Sequence, residues 1–312
     1  MKKIYKVADH IFTLALPDGN GPAIEKMLKN YEPFDISERI PGECPESLFT
    51  VSLEDCSNPY NVDHADEAMS RGLLKAIYAG QAEPDEPKLD IYDNESGEWQ
   101  VEMAPWEKIP SCASLIIRKD CSYAQLFMKN RKYCKFAIDN SLMVMYAFRT
   151  AGMSTLEMHS SVVVNGGRAV MFLGHSGAGK STHSRMWLEN IEGTELMNDD
   201  NPIVRLSESG EAIAYGSPWS GKTPCYKNMS APVSAFVNIL QYPSNNIARC
   251  SILETYASIY SSTSGFKLME DQANGLYSTI NGVMSSVPCY NLQCLPDGDA
   301  ARLCKQTVFN EK

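Results

Sequence analysis

No stretch of this chain is both long and apolar enough to read as a bilayer span. The longest uncharged segments, residues 228–248 and 272–296, are broken by proline and glycine and carry many polar groups. A secretion signal is missing too: Met1-Lys2-Lys3-Ile4-Tyr5-Lys6 leads into polar and acidic residues rather than a continuous apolar run, so a cytoplasmic location with no membrane partner is expected. Basic excess is absent. Lys and Arg number 28 against 38 Asp and Glu, a net charge of −10, and the first 136 residues carry −7 of it. Nucleic acid is thereby excluded as an expected partner, because its affinity comes mainly from phosphate neutralisation. The ten cysteines include no C-x-x-C pair and no zinc-ligand spacing with the five histidines. Free, buried thiols in a reducing compartment are expected. Internal repeats and low-complexity tracts are also lacking. A length of 312 residues is enough for two domains, or for one large domain with an elaborated half.

What is present is a glycine loop. Gly174-His175-Ser176-Gly177-Ala178-Gly179-Lys180-Ser181-Thr182 fits G-x-x-x-x-G-K-[ST] with no substitution. From average residue usage such a match arises by accident in a chain this long on the order of one time in a hundred. An apolar run at 168–173 precedes it, bounded by Gly166-Gly167, and a helix-compatible run at 181–190 follows. Strand, loop and helix in that order wrap backbone N–H groups around phosphate oxygens at the positive end of a helix. Residues 174–182 are therefore expected to bind ATP. Lys180 is expected between the β- and γ-phosphates and the Ser181 hydroxyl on Mg2+. A tight strand-to-helix turn is the plain alternative, but a turn does not need Lys-Ser at its end.

The first 135 residues read as strand-rich, with β-type runs at 3–7, 11–16, 47–53 and 114–118 and a hairpin over 89–103 turning at 94–97. Residues 23–31 and 65–78 have helical composition, and 81–87 reads as an exposed loop. An amphipathic helix is expected over 137–150, with Ile138, Leu142, Met145 and Tyr146 on one face and Gly152 as its stop. Strands are then expected at 158–164, 202–206, 234–240 and 290–294. A boundary near residue 136 divides a strand-rich α+β region, 1–136, from an α/β domain, 137–312.

Transfer of a phosphoryl group needs a second metal ligand and a group that receives the acceptor's proton. Asp199-Asp200 closes a short apolar run nineteen residues after Lys180, where a strand beside the loop strand brings a carboxylate to the γ-phosphate. Asn198-Asp199-Asp200-Asn201 also reads as a turn. His159 lies on the strand before the loop strand, as a candidate or as an ordinary core or edge histidine. Residues 215–224, Tyr-Gly-Ser-Pro-Trp-Ser-Gly-Lys-Thr-Pro, describe a loop held in one shape. It either carries Lys222 to the transition state as an extra cation or clamps an acceptor, or it is a surface loop over a packed Trp219.

His159-Ser160, the strand at 169–173, the loop at 174–181 and Asp199-Asp200 together resemble the catalytic domain of bacterial HPr kinase/phosphorylase. The resemblance covers roughly residues 137–240. It implies a P-loop fold with a mixed sheet, shared with phosphoenolpyruvate carboxykinases. It further implies Asp199 as acid/base, Asp200 toward the metal and His159 beside the base. Ser160 stands where that family has glycine, and its I-E-[IV]-R-G-like signature is replaced by residues 212–222 here. The phosphorolysis reaction and the fixed protein substrate tied to that signature are therefore not carried over. The expected activity is ATP- and Mg2+-dependent phosphoryl transfer to a Ser or Thr hydroxyl of a protein or peptide. A kinase of a small molecule with the same fold, or a nucleotide-binding interaction module without transfer, are the alternatives. Self-association is left open by the sequence.

Overall fold

The computed structural model describes residues 1–19, 21–38, 46–54, 74–79, 87–94, 97–221, 223–265, 267 and 269–310. They form an α/β structure with mixed sheets, divided into two compact units, Met1–Arg149 and Thr150–Lys312.

The first unit is built on eight strands: β1 (Lys2–Val7), β2 (His10–Ala15), β3 (Thr50–Leu53), β4 (Leu74–Ala79), β5 (Lys88–Asn94), β6 (Glu98–Ala104), β7 (Ala113–Arg118) and β8 (Tyr123–Met128). They lie in the order β1-β2-β3-β8-β7-β6-β5-β4, with β3 parallel to both its neighbours and every other pair antiparallel. The expected hairpin forms as β5 and β6; residues 95 and 96 of its turn lie outside the described residues. Helical composition misleads at the end of 65–78, where residues 74–79 pair with β5 as a strand. Residues 65–73 and 81–86 lie outside the described residues. The helical run at 23–31 resolves into a short α1 (Gly21–Glu25) and a 3-10 segment, Lys29–Phe34.

The amphipathic helix forms as α2 (Cys134–Thr150), and its apolar stripe belongs to the first unit. Ile138, Leu142, Met145 and Tyr146 are buried. Tyr146 meets Phe12 edge-on at 6.1 Å and donates its hydroxyl to the Val7 carbonyl at 3.2 Å. Asp139, on the same helix, accepts from the Tyr31 hydroxyl at 2.9 Å. Burial raises the Asp139 pKa against the pull of Lys135. The helix expected to open the second domain thus closes the first, because its stripe is complementary to the aromatic side of β1 and β2.

The second unit contains β9 (Thr155–Glu157), β10 (Ser160–Asn165), β11 (Arg168–Leu173), α3 (Lys180–Asn190), β12 (Thr194–Asp200), β13 (Ile203–Leu206), β14 (Ala212–Tyr215), β15 (Ser230–Gln241), β16 (Asn246–Arg249), α4 (Ile252–Ser262), α5 (Glu270–Ser286), β17 (Cys289–Cys294) and α6 (Gly298–Asn310). β10 and β11 form an antiparallel hairpin closed by Gly166 and Gly167, with φ of 57° and 73°. Two positive φ values in a two-residue loop match the twist of the paired strands, and glycine adopts them without strain. β11 then runs parallel to β15, and β15 parallel to β17. The first residues of β15 pair with β14, so this one long strand serves both parts of the sheet.

Apolar residues cover both faces, as near-continuous hydrophobic strands require. One side packs Met171, Leu173 and Phe236 against Ile259 of α4 and Leu276, Ile280 and Val283 of α5. The other packs Val170, Phe172 and Val237 against Trp187 of α3 and Ala301, Cys304 and Val308 of α6.

Candidate functional site

The glycine loop leaves the end of β11 at Gly174 and enters α3 at Lys180. Gly174 has φ of 140°, and a Cβ there would stand 2.9 Å from the Ala178 Cβ and 3.3 Å from the Ile239 carbonyl oxygen. Gly179 caps the helix in the left-handed region, at φ of 106°. The first intrahelical donor is the His183 N–H, bonded to the Gly179 oxygen at 2.8 Å. The amides of Lys180, Ser181 and Thr182 therefore have no acceptor within the helix and point toward the loop, where the helix dipole is positive. Gln241, at the end of β15, donates its side-chain amide to the Gly177 oxygen at 2.9 Å and ties the loop to the sheet.

Lys180 is 8% exposed. Its ammonium folds over the loop and donates to the Gly174 oxygen at 2.9 Å and the His175 oxygen at 3.2 Å. His175 and Ser176 are exposed, and the His175 Nδ1 lies 2.6 Å from the Ser176 oxygen. Ala178 is buried, Ser181 exposed and Thr182 half-buried.

Asn198, Asp199 and Asp200 lie within β12, so this segment is strand and not turn. β12 pairs with β10 in the register Ser160↔Asp200 and Ser161↔Asp199, while Ser161 pairs with Phe172 of β11 on its other side. One antiparallel strand thus carries the two carboxylates to the edge where β11 becomes the loop. Directly opposed residues of an antiparallel pair share a face, and the Ser161 hydroxyl lies 2.6 Å from the Ser184 hydroxyl of α3, one turn on from Lys180. Asp199 is therefore on the α3 side of the sheet; it is 5% exposed.

Asp200 is more open, with its side chain 36% exposed, and its Oδ1 lies 3.4 Å from His159 Nε2, whose side chain is 43% exposed. The histidine pairs with the second aspartate, not with the one the resemblance placed beside it.

Residues 215–221 lie alongside this edge. Asn198 donates its side-chain amide to the Trp219 oxygen at 3.0 Å and to the Ser217 hydroxyl at 3.2 Å. The Gly221 N–H bonds to the Asp199 oxygen at 2.8 Å, and Ser220 forms a β-bridge with Asp200. Trp219 is buried. The segment is thus fixed against the aspartates through an asparagine whose role the sequence does not disclose. Lys222 lies outside the described residues.

Glu157, at the end of β9, is a further carboxyl at this edge, and sequence reading passes over it. It is 2% exposed, and its Oε2 has no hydrogen-bond partner among the described residues. Burial first, and the neighbouring Asp200 second, push its pKa up to about 8. The Ser160 hydroxyl, opposite Asp200, is buried and likewise has no hydrogen-bond partner among the described residues. In the sequence, Thr-Leu-Glu at 155–157 looks like an ordinary alternating strand. The visible signal is two serines opening an otherwise apolar strand, since polar groups are costly there unless something bonds them.

Among the described residues, no three His, Cys, Asp or Glu side chains are grouped to hold a metal ion. Magnesium held by one or two protein oxygens, with water and phosphate completing its shell, needs no such group. The exposed Ser181 hydroxyl at the first turn of α3 and the aspartates of β12 are oxygen donors of the hard kind it prefers.

No family model matches the chain, and no curated protein matches it. Among solved structures the chain is similar to the HPr(Ser) kinase/phosphatase from Coxiella burnetii, at 14% identity and a TM-score of 0.28, over 49% of this chain and 94% of that one. Among the described residues no helix is long and apolar enough to cross a membrane.

Proposed function

We propose that this chain is an ATP- and magnesium-dependent kinase whose P-loop domain is the second unit, residues 150–312, acting on a Ser or Thr hydroxyl of a protein or peptide. One observation carries the reading: Lys180 lies across a glycine loop at the head of α3, and the strand register brings Asp199 and Asp200 to the same edge. The loop amides and Lys180 hold the phosphates and meet charge that grows on them during transfer. Magnesium, when bound, would supply positive charge that offsets the charge on the phosphates. Ser181 and Asp199, on the α3 side, are the residues proposed to hold it.

The acceptor's proton goes to Asp200. This reverses the order implied by the resemblance, and the geometry favours the reversal: Asp200 is the aspartate open to an incoming hydroxyl, and His159 stands against it. His159 orients that carboxylate. Ser217, Trp219 and Ser220 form the wall beside it, and Lys222 is proposed as the further cation of this segment.

Two measurements test the reading. Calorimetry should show magnesium-ATP bound by the native chain and severely weakened in a folded Lys180→Ala protein; equal affinity would overturn nucleotide binding through the loop. Mass spectrometry of candidate acceptors after incubation with γ-labelled ATP should show a phosphorylated Ser or Thr. ATP bound with no label transferred to any acceptor would leave a nucleotide-binding module in place of a kinase.

A further inference from the structure

On the far side of the second unit's sheet, two cysteines face each other across an antiparallel pair. The register of β16 with β17 ends at Arg249↔Tyr290, and the next two residues in line are Cys250 and Cys289. The Cys250 N–H donates to the Cys289 oxygen at 2.9 Å. Directly opposed residues in such a pair have Cα atoms roughly 4.5–5.5 Å apart, inside the 4.4–6.8 Å range that a disulfide spans. Their side chains are hydrogen-bonded to each other, and both thiols are free.

The two differ in access. Cys250 is half-buried, at a cavity lined also by Arg249, Ile252, Met284, Pro288 and Cys289. Cys289, at the same cavity, is only 2% exposed and packs into the core with residues of α5. The other described pair with electrostatic contact, Cys294 and Cys304, is buried on both sides, so neither sulfur meets solvent.

We propose that Cys250 and Cys289 form a reversible dithiol–disulfide couple, in which Cys250 meets the oxidant, a hydroperoxide, and Cys289 resolves the product. The Cys250 thiolate attacks one peroxide oxygen. An S–O bond forms, the O–O bond breaks, and the other oxygen leaves as an alcohol or water after taking a proton. Cys250 is then a sulfenic acid. The Cys289 sulfur attacks the Cys250 sulfur, the S–S bond forms, the S–O bond breaks, and the hydroxyl leaves as water with the Cys289 proton. Overall the two thiols are oxidised by two electrons and the peroxide is reduced. The hydrogen bond from Cys289 holds the Cys250 thiol below its usual range, against burial and Glu254, which favours the thiolate that attacks. This couple is independent of the proposed kinase activity.

The test uses the full-length reduced protein, treated with hydrogen peroxide, alkylated and digested without reductant. Mass spectrometry should then find a peptide joining Cys250 to Cys289, lost on adding dithiothreitol, while Cys112, Cys294 and Cys304 are recovered alkylated. In Cys289→Ser, Cys250 should accumulate as a sulfenic acid captured by dimedone. In Cys250→Ser, Cys289 should stay a thiol. The wild-type arm stands alone if either variant fails to fold. A Cys250–Cys250 link between chains, over-oxidation of Cys250 with Cys289 left as a thiol, or no oxidation at Cys250 would each overturn the proposal.

Discussion

A carboxyl that loses water without gaining a hydrogen-bond donor keeps its proton, and Glu157 is in that position, with its pKa raised from 4.5 to about 8. Below about 4.5 the folded and unfolded chains both carry the proton, and the residue is neutral to stability. Between there and 8 only the folded chain holds it, so stability falls as pH rises, by up to about 1.4 kcal/mol for each pH unit. Glu157→Gln removes the titration at nearly constant shape. In the nucleotide-free protein its melting temperature should exceed that of the native chain at pH 8 and approach it at pH 5; two parallel curves would show that Glu157 is not the source. The aspartates separate by kinetics. Asp200→Asn should leave ATP bound and cut transfer by roughly 10² to 10⁴, the scale of general base catalysis. Asp199→Asn should chiefly raise the magnesium concentration needed. The opposite pattern would restore the order that the resemblance implies, and equal, mild effects from both would remove the pair from the chemistry.

At the scale of elements, legibility follows the range of the forces involved. The glycine loop, the Gly166-Gly167 turn and the strands at 168–173 and 290–294 can be read from the sequence because each depends on its own few residues. Asp199 and Asp200 can be read as candidates by spacing, but their place inside β12 depends on pairing with Ser160 and Ser161. Residues 74–78, the end of the run with helical composition, contain Leu, Lys and Ala, yet β5 offers an edge and residues 74–79 pair with it. β8, which carries Gln125 and Phe127, is missed because its alternation is weak and its burial comes from β3 and β7. Gly174 provides the test at this scale. Gly174→Ala places a side chain at φ of 140° and within 2.9 Å of the Ala178 Cβ. A backbone strain of about 1–3 kcal/mol should weaken magnesium-ATP binding about tenfold to a hundredfold while circular dichroism stays native. Unchanged affinity in calorimetry would show that the loop tolerates the shift.

Over the whole molecule, the chain divides between Arg149 and Thr150, and each unit has its own sheet and its own buried apolar residues. The sequence places this division near residue 136 because an amphipathic stripe shows that a helix packs, not which sheet it packs on. Residues 150–312 expressed alone should fold and bind magnesium-ATP, read by circular dichroism and calorimetry; a fragment that is unfolded would show that the first unit is required. The strand pairs that build the candidate site also fix the order of its assembly. β10 finds β11 across a two-residue turn, and β12 returns to β10 after one helix, so Glu157, His159, Lys180, Asp199 and Asp200 all come from a single uninterrupted stretch. Loops this short lose little entropy on closing, and contacts of low sequence separation form fast. In pulse-labelled hydrogen exchange during refolding, the amides of β10 and β11 should be protected before those joining β15 to β17, so the site edge would form as an early nucleus onto which the rest of the sheet is added.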